Sequence, residues 1–331
     1  MRSTPSFASL ALVFSLAVQA APEKMQAVEV GPGGALSVQT RPVPRPGEGE
    51  VLIKVRAAGV NPVDWKSAAR RLGMVPGTDV SGTIDTLGEG VTGWKIGDQV
   101  LGFARGSGSY AEYAVIPVSS LARRPASMTF EQAAGVPIAA ETAYRALHEA
   151  GRIERGQTVL IHGAAGGVGS AAVQIAKAAG ARVIGTASPN NQEFLRSLGV
   201  DQPIDYRSQK FENLVKNVDL VLNTADAETT ARSISVVRAG GTLVSIVGPP
   251  NPQACAAAKI RCVRPDRESG ATNADMLARV VELADAGKFK VFVDSTYSLA
   301  NTAKAWAKSR EGHTRGKLII VVSEGPTMKH Q

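Results

Sequence analysis

The sequence predicts an α/β protein: a doubly wound parallel sheet joined to a smaller β-rich domain. Three observations carry this. The segment His162-Gly163-Ala164-Ala165-Gly166-Gly167-Val168-Gly169-Ser170 directly follows an apolar strand and opens a helix. Beyond it, apolar strands and helical stretches alternate, as in a parallel sheet covered on both faces. Before residue 120, short apolar runs are punctuated by Gly, Pro and Asp turns, the texture of a small barrel or sandwich.

Taken in order, Arg2 precedes an apolar stretch from Phe7 to Val18, and Val18-Gln19-Ala20 offers small residues to a signal peptidase. Residues 1–20 therefore read as a secretory signal peptide, cleaved after Ala20 and implying a periplasmic or secreted protein. Its apolar core is shorter than the roughly 20 residues a membrane span needs. The alternative is translation from Met25, which opens a natural first strand and would leave the protein cytoplasmic. Val51–Arg56 is a strand preceded by a Pro-rich turn, and Phe130–Glu149 has helical spacing. Thr158–His162 is an apolar strand, Ser170–Ala179 a helix ended by Gly180, and Arg182–Thr186 the next strand. A helix at Gln192–Leu198 and strands at Leu220–Leu222 and Thr242–Val247 continue the alternation.

At 331 residues, 44% hydrophobic and 20% charged, the chain suits two globular domains. The net charge of +8 is scattered among acidic residues, without the aromatic interleaving of a single-strand nucleic-acid binder. It does suit an anionic cofactor. Cys255 and Cys262 could form a disulfide in an oxidising compartment and would be free thiols in the cytoplasm; the sequence leaves the pairing undetermined.

The glycine segment reads as a dinucleotide loop of pattern A-x-G-x-x-G, with Ala164 in place of the first glycine. Gly166 admits a pyrophosphate close to the backbone, and Gly169 lets the helix pack on the strand. NAD-preferring folds carry an acidic residue about 20 positions further on. Here Ser188 stands there, and residues 181–192 contain no acid, which favours NADPH. His162 reads as a packed, hydrogen-bonded core histidine, and no histidine has ligand spacing to either cysteine.

Several segments now resemble the zinc-independent, quinone oxidoreductase and enoyl reductase-like members of the medium-chain dehydrogenase/reductase superfamily. They are Ala57–Lys66, Pro76–Gly82, Gly97–Val100, Gly108–Tyr113, the glycine loop, Gly240–Val244 and Gly312–Lys317. The resemblance implies a GroES-like catalytic domain over 25–148, completed by 298–331, and a Rossmann NADP-binding domain over 149–297. It implies an interdomain active site without metal, since zinc-dependent relatives have Cys where this chain has Asn61 and Gly-His-Glu where it has Gly77-Thr78-Asp79. By motif position, Ala165, Gly166, Gly167 and Val168 contact the pyrophosphate, and Ser188 and Tyr206 the adenosine end. Ile246, Val247, Gly248 and Pro249 line the nicotinamide ribose, and Lys317 lies near the cofactor's phosphates. Asn61 and Thr142 sit by the nicotinamide, and Tyr110 or solvent supplies hydrogen bonds or a proton.

Two departures stand out. Asn191 replaces a lysine that often reaches the 2′-phosphate, with Arg207 as a substitute, and the stretch from Lys66 to Pro76 is short and lacks a rim tyrosine. With neither zinc nor an evident acid, the expected acceptors are quinones and α,β-unsaturated carbonyls, whose product anions are delocalised. The mid-chain position of the glycine loop argues against a short-chain dehydrogenase. A non-catalytic NADPH-binding scaffold is the other reading. The partner is a small-molecule substrate, with no nucleic acid and no membrane span, and a homodimer is left open.

Overall fold

The computed structural model describes residues 21–70, 72–104, 108–265 and 273–322. The expected signal peptide lies outside them.

Six parallel strands run in the order Gln202–Asp205, Arg182–Ala187, Thr158–His162, Val218–Asn223, Val237–Ser245, Arg261–Val263. This is the doubly wound arrangement, with its switch point beside Thr158–His162. The strand sequence explains the two-sided burial. Val159 and Ile161 feed one apolar cluster, with the helix Gly167–Ala178, while Leu160 feeds the other, with Phe211 and Leu243.

The second sheet has seven strands. Its main path is Val293–Ser298, Lys317–Val321, Glu50–Val60, Asp79–Leu87, Gln99–Phe103 and Leu121–Arg123, with Tyr113–Pro117 also paired to Glu50–Val60. The chain returns to this sheet at Val293, a few residues before position 298. A separate hairpin, Lys24–Val30 with Leu36–Pro42, contains the strand expected at Met25.

Helix bounds differ from the sequence reading for local reasons. The stretch 130–149 is not one helix. It divides into Phe130–Ala134, Pro137–Tyr144 and a π-helical turn at Arg145–Ala150. Pro137 lacks the N–H that an uninterrupted helix would need, so it starts a new one. The helix after the glycine loop begins at Gly167 rather than Ser170. The strand Val237–Ser245 stops before Ile246, which leaves residues 246–249 in a loop above the sheet. Cys255, on the helix Pro252–Ala257, is disulfide-bonded to Cys262 in the edge strand. Among the described residues no helix is long and apolar enough to cross a membrane.

Candidate active site

Between the two sheets lies a cleft of about 1820 Å³. Its floor is the glycine loop, from which the helix Gly167–Ala178 springs with Gly166 as N-cap. Gly169 is required here because a β-carbon would stand 2.1 Å from the Gly163 carbonyl oxygen. The first turn of that helix presents N–H groups and the positive end of its dipole, a setting for a pyrophosphate. The opposite domain touches the same loop. Gly316 donates its N–H to the Ala165 carbonyl at 2.9 Å and forms a bridge with Gly166. Gly316 has φ +73° and lies against Phe292, where a β-carbon would be 2.1 Å from that carbonyl oxygen.

Lys317 follows, and its stem passes over Gly167. Its ammonium then turns to the catalytic domain, donating to Asn61 Oδ1 at 2.5 Å and Asp79 Oδ2 at 3.1 Å. Asn61 also donates from Nδ2 to Asp79 Oδ2 at 2.9 Å, so three side chains form a closed triangle. Asp79 is fixed from the other side by the Ile138 N–H at 3.0 Å, which ties the triangle to the helix carrying Thr142. Asn61, Asp79 and Lys317 are all buried, with Lys317 5% exposed. Removing one partner of such a pair strands a buried charge, at a cost of about 3–5 kcal/mol.

Behind Asn61, its N–H donates to Asp64 Oδ2 at 2.8 Å, and Tyr110 donates its hydroxyl to the same oxygen at 2.8 Å. Burial pushes the Asp64 carboxyl up to about 7, and the neighbouring Asp79 adds to this. The two hydrogen bonds and Lys317 act the other way. Burial and the Asp64 charge likewise push the Tyr110 hydroxyl well up.

Asn61, Thr142, Ala165, Gly166, Gly167, Val168, Ser188, Tyr206, Ile246, Val247 and Lys317 all line the cleft. Tyr110 does not line it. Its side chain is wholly buried and its hydroxyl is committed to Asp64, because the fold puts Asp64 between it and the cleft's Asn61. Gly248 and Pro249 are not among the residues that line the cleft. His162 is a buried core residue, bonded to Thr186 and Ser233 and edge-on to Phe211. Burial, with the Arg232 charge, lowers it to about 3.

At the far end, Ser188 accepts from Asn191 Nδ2 at 3.0 Å. Arg315, not singled out from sequence, reaches across from the opposite domain. It donates to Asn191 Oδ1 at 2.8 Å and the Asn190 carbonyl at 2.9 Å, with its guanidinium over the Phe194 ring. A positive charge thus stands beside the loop that lacks the expected lysine. Asp64 was also missed, and its signal was available: an acid three residues after Asn61, at the N3 position of a short helix.

Residues 47–126 match the model of the alcohol dehydrogenase GroES-like domain, and residues 198–320 that of the zinc-binding dehydrogenase domain. The chain is 33% identical over 301 residues to a chloroplastic quinone-oxidoreductase of Triphysaria versicolor, covering 84% of this chain and 92% of that one. It is 32% identical over 297 residues to an NADPH-dependent alkenal/one oxidoreductase of Arabidopsis thaliana, covering 84% and 73%. The solved quinone oxidoreductase of Coxiella burnetii superposes with TM-score 0.82 at 31% identity, covering 91% of this chain and all of that one. Fold and site together are those of a two-domain oxidoreductase with a nucleotide-type cleft. The chain belongs to the medium-chain dehydrogenase/reductase superfamily, among its quinone oxidoreductase and enoyl reductase-like members.

The zinc in the name of one matching model does not fit the residues present. Asn61 and Thr78 supply no thiolate or imidazole, and the Lys317 ammonium stands between Asn61 and Asp79. An amide, a hydroxyl and a carboxylate already shared by two donors make a poor zinc set.

Proposed function

We propose that the protein is an NADPH-dependent oxidoreductase that transfers a hydride to a quinone or an α,β-unsaturated carbonyl without a metal. The observation that carries this reading is the apposition, across one cleft, of the dinucleotide loop and the Asn61–Asp79–Lys317 triangle. Bound NADPH would supply the hydride.

The chain's own residues provide the rest. The glycine loop and the first turn of its helix hold the pyrophosphate. Ser188, Arg315, Tyr206 and the exposed Arg207 receive the adenosine end, where residues 181–192 carry no acid. Asn61, Thr142, Ile246 and Val247 line the cleft and would hold the nicotinamide. Holding donor and acceptor in one bound geometry lowers the barrier by itself. The names of the two curated relatives above support both acceptor classes and, for one of them, NADPH.

Purified protein should oxidise NADPH with 1,4-benzoquinone or an alkenal and scarcely with simple ketones, and elemental analysis should find no stoichiometric zinc. One zinc per chain, or inert quinones and enones beside reactive unconjugated ketones, would overturn the reading. Tight NADPH binding with no acceptor reduced would favour a non-catalytic binding protein instead. We also propose that residues 1–20 direct export and that the mature chain begins at Ala21, in keeping with the Cys255–Cys262 disulfide.

A further inference from the structure

We propose that Lys317 is the proton donor of this reaction, its ammonium held by Asn61 and Asp79 at the wall of the cleft. The assignment deepens the reading above and rests on it.

The lysine is held between the two binding surfaces. Its stem lies on Gly167, in the loop that would hold the cofactor, and its head lies on Asn61 and Asp79 in the catalytic domain. An ammonium has three N–H donors. Two are taken by Asn61 and Asp79, which leaves one for the cleft that the side chain lines. Asp79 cannot swing away, because Ile138 and Asn61 hold its two oxygens. The ammonium is thus held in a fixed orientation.

Four neighbouring groups are spent, blocked or too weakly acidic. Tyr110 is sealed off, and its hydroxyl is committed to a hydrogen bond with Asp64. His162 is shared between Thr186 and Ser233. Arg145 is paired with Glu141 and Glu149, and a guanidinium does not deprotonate in proteins. The Thr142 hydroxyl is too weak an acid. An ammonium N–H, by contrast, is a positioned general acid of the kind that protonates an enolate or a phenolate.

For an enone, the hydride would leave by breaking the C4–H bond of the reduced nicotinamide, a C–H bond forms at the β-carbon, and the π electrons move to give an enolate. One Lys317 N–H bond then breaks and its proton goes to that enolate. For a quinone, the hydroquinone monoanion takes the proton. The acceptor is reduced by two electrons and the nicotinamide oxidised by two. Lys317, left as a neutral amine, recovers a proton from water through the open cleft.

The test uses the full chain with NADPH and two acceptors, an alkenal and 1,4-benzoquinone. Lys317→Arg keeps the charge and the hydrogen-bonding head but cannot deliver a proton. It should melt with the wild type and bind NADPH within about twofold of it, while kcat with the alkenal falls about a hundredfold or more at unchanged KM. Benzoquinone turnover should fall by no more than about tenfold, because its delocalised anion can take a proton from solvent. The double variant Lys317→Met with Asp79→Asn removes the pair without orphaning a charge, and should repeat the alkenal loss. Wild-type alkenal rates in Lys317→Arg would overturn the donor alone. Loss of NADPH binding in parallel with activity would make Lys317 a cofactor ligand and overturn it too. A wild type inert with every acceptor would remove the oxidoreductase reading, and the donor with it.

Discussion

The Tyr110 hydroxyl and the Asp64 carboxyl form a sealed hydrogen-bonded pair, 2.8 Å apart and buried directly behind Asn61. Its cost depends on pH. Burial first, then the neighbouring Asp79, raises the folded Asp64 value from 3.8 to about 7, so between those limits the folded state holds a proton that the unfolded chain has released. Asp64 therefore contributes no penalty below the unfolded value, and a growing one as pH rises, complete above the folded value. The ceiling is about 4 kcal/mol. Asp64→Asn keeps an acceptor for Tyr110 and removes the titration. The difference in melting temperature between variant and wild type should move in the variant's favour from pH 4 to pH 8. A pH-independent difference would show that Asp64 ionises normally.

Cofactor choice should follow the Ser188 end. With Arg315 beside that loop and no acid among residues 181–192, NADPH should bind more tightly than NADH by about 1–3 kcal/mol, the range of charge-assisted hydrogen bonds. Ser188→Asp should reverse the preference, and Arg315→Ala should narrow it. Fluorescence titration reads all three, and equal wild-type affinities would count against the assignment.

Gly169→Ala should damage the nucleotide loop. Its β-carbon would meet the Gly163 carbonyl oxygen at 2.1 Å, backbone against backbone, so the helix must move off the strand. Overpacking of this kind costs about 1–3 kcal/mol. Lower thermal stability together with NADPH affinity weakened at least about tenfold is the expected result. Native affinity would mean that the loop absorbs the shift.

The leader and the disulfide can be checked on one preparation. Intact mass should place the mature N-terminus at Ala21 in the periplasmic fraction, with Cys255 and Cys262 oxidised. Reduction should lower stability by about 2 kcal/mol, as expected for a short closed loop. A cytoplasmic product starting at Met25 with free thiols would refute export.

What the sequence determined by itself was whatever depends on neighbours along the chain. The glycine loop after an apolar strand, the alternation that makes a parallel sheet, and the uncharged Ser188 position are local patterns, and each lies where local physics places it. Even the burial of His162 was legible, because a strand buried on both faces has no exposed side for it. The site's polar partnerships were decided only in three dimensions. Lys317 meets Asn61 across 256 positions and Asp79 across 238, and Arg315 meets Asn191 across 124. Periodicity and turn chemistry carry no record of which distant polar groups will share a dry cleft. That choice is made when two sheets close on each other, because each buried charge must then find a partner. The same closure moved Tyr110 from a supposed donor on the wall to a sealed partner of Asp64, and brought the Lys317 ammonium onto the wall in its place.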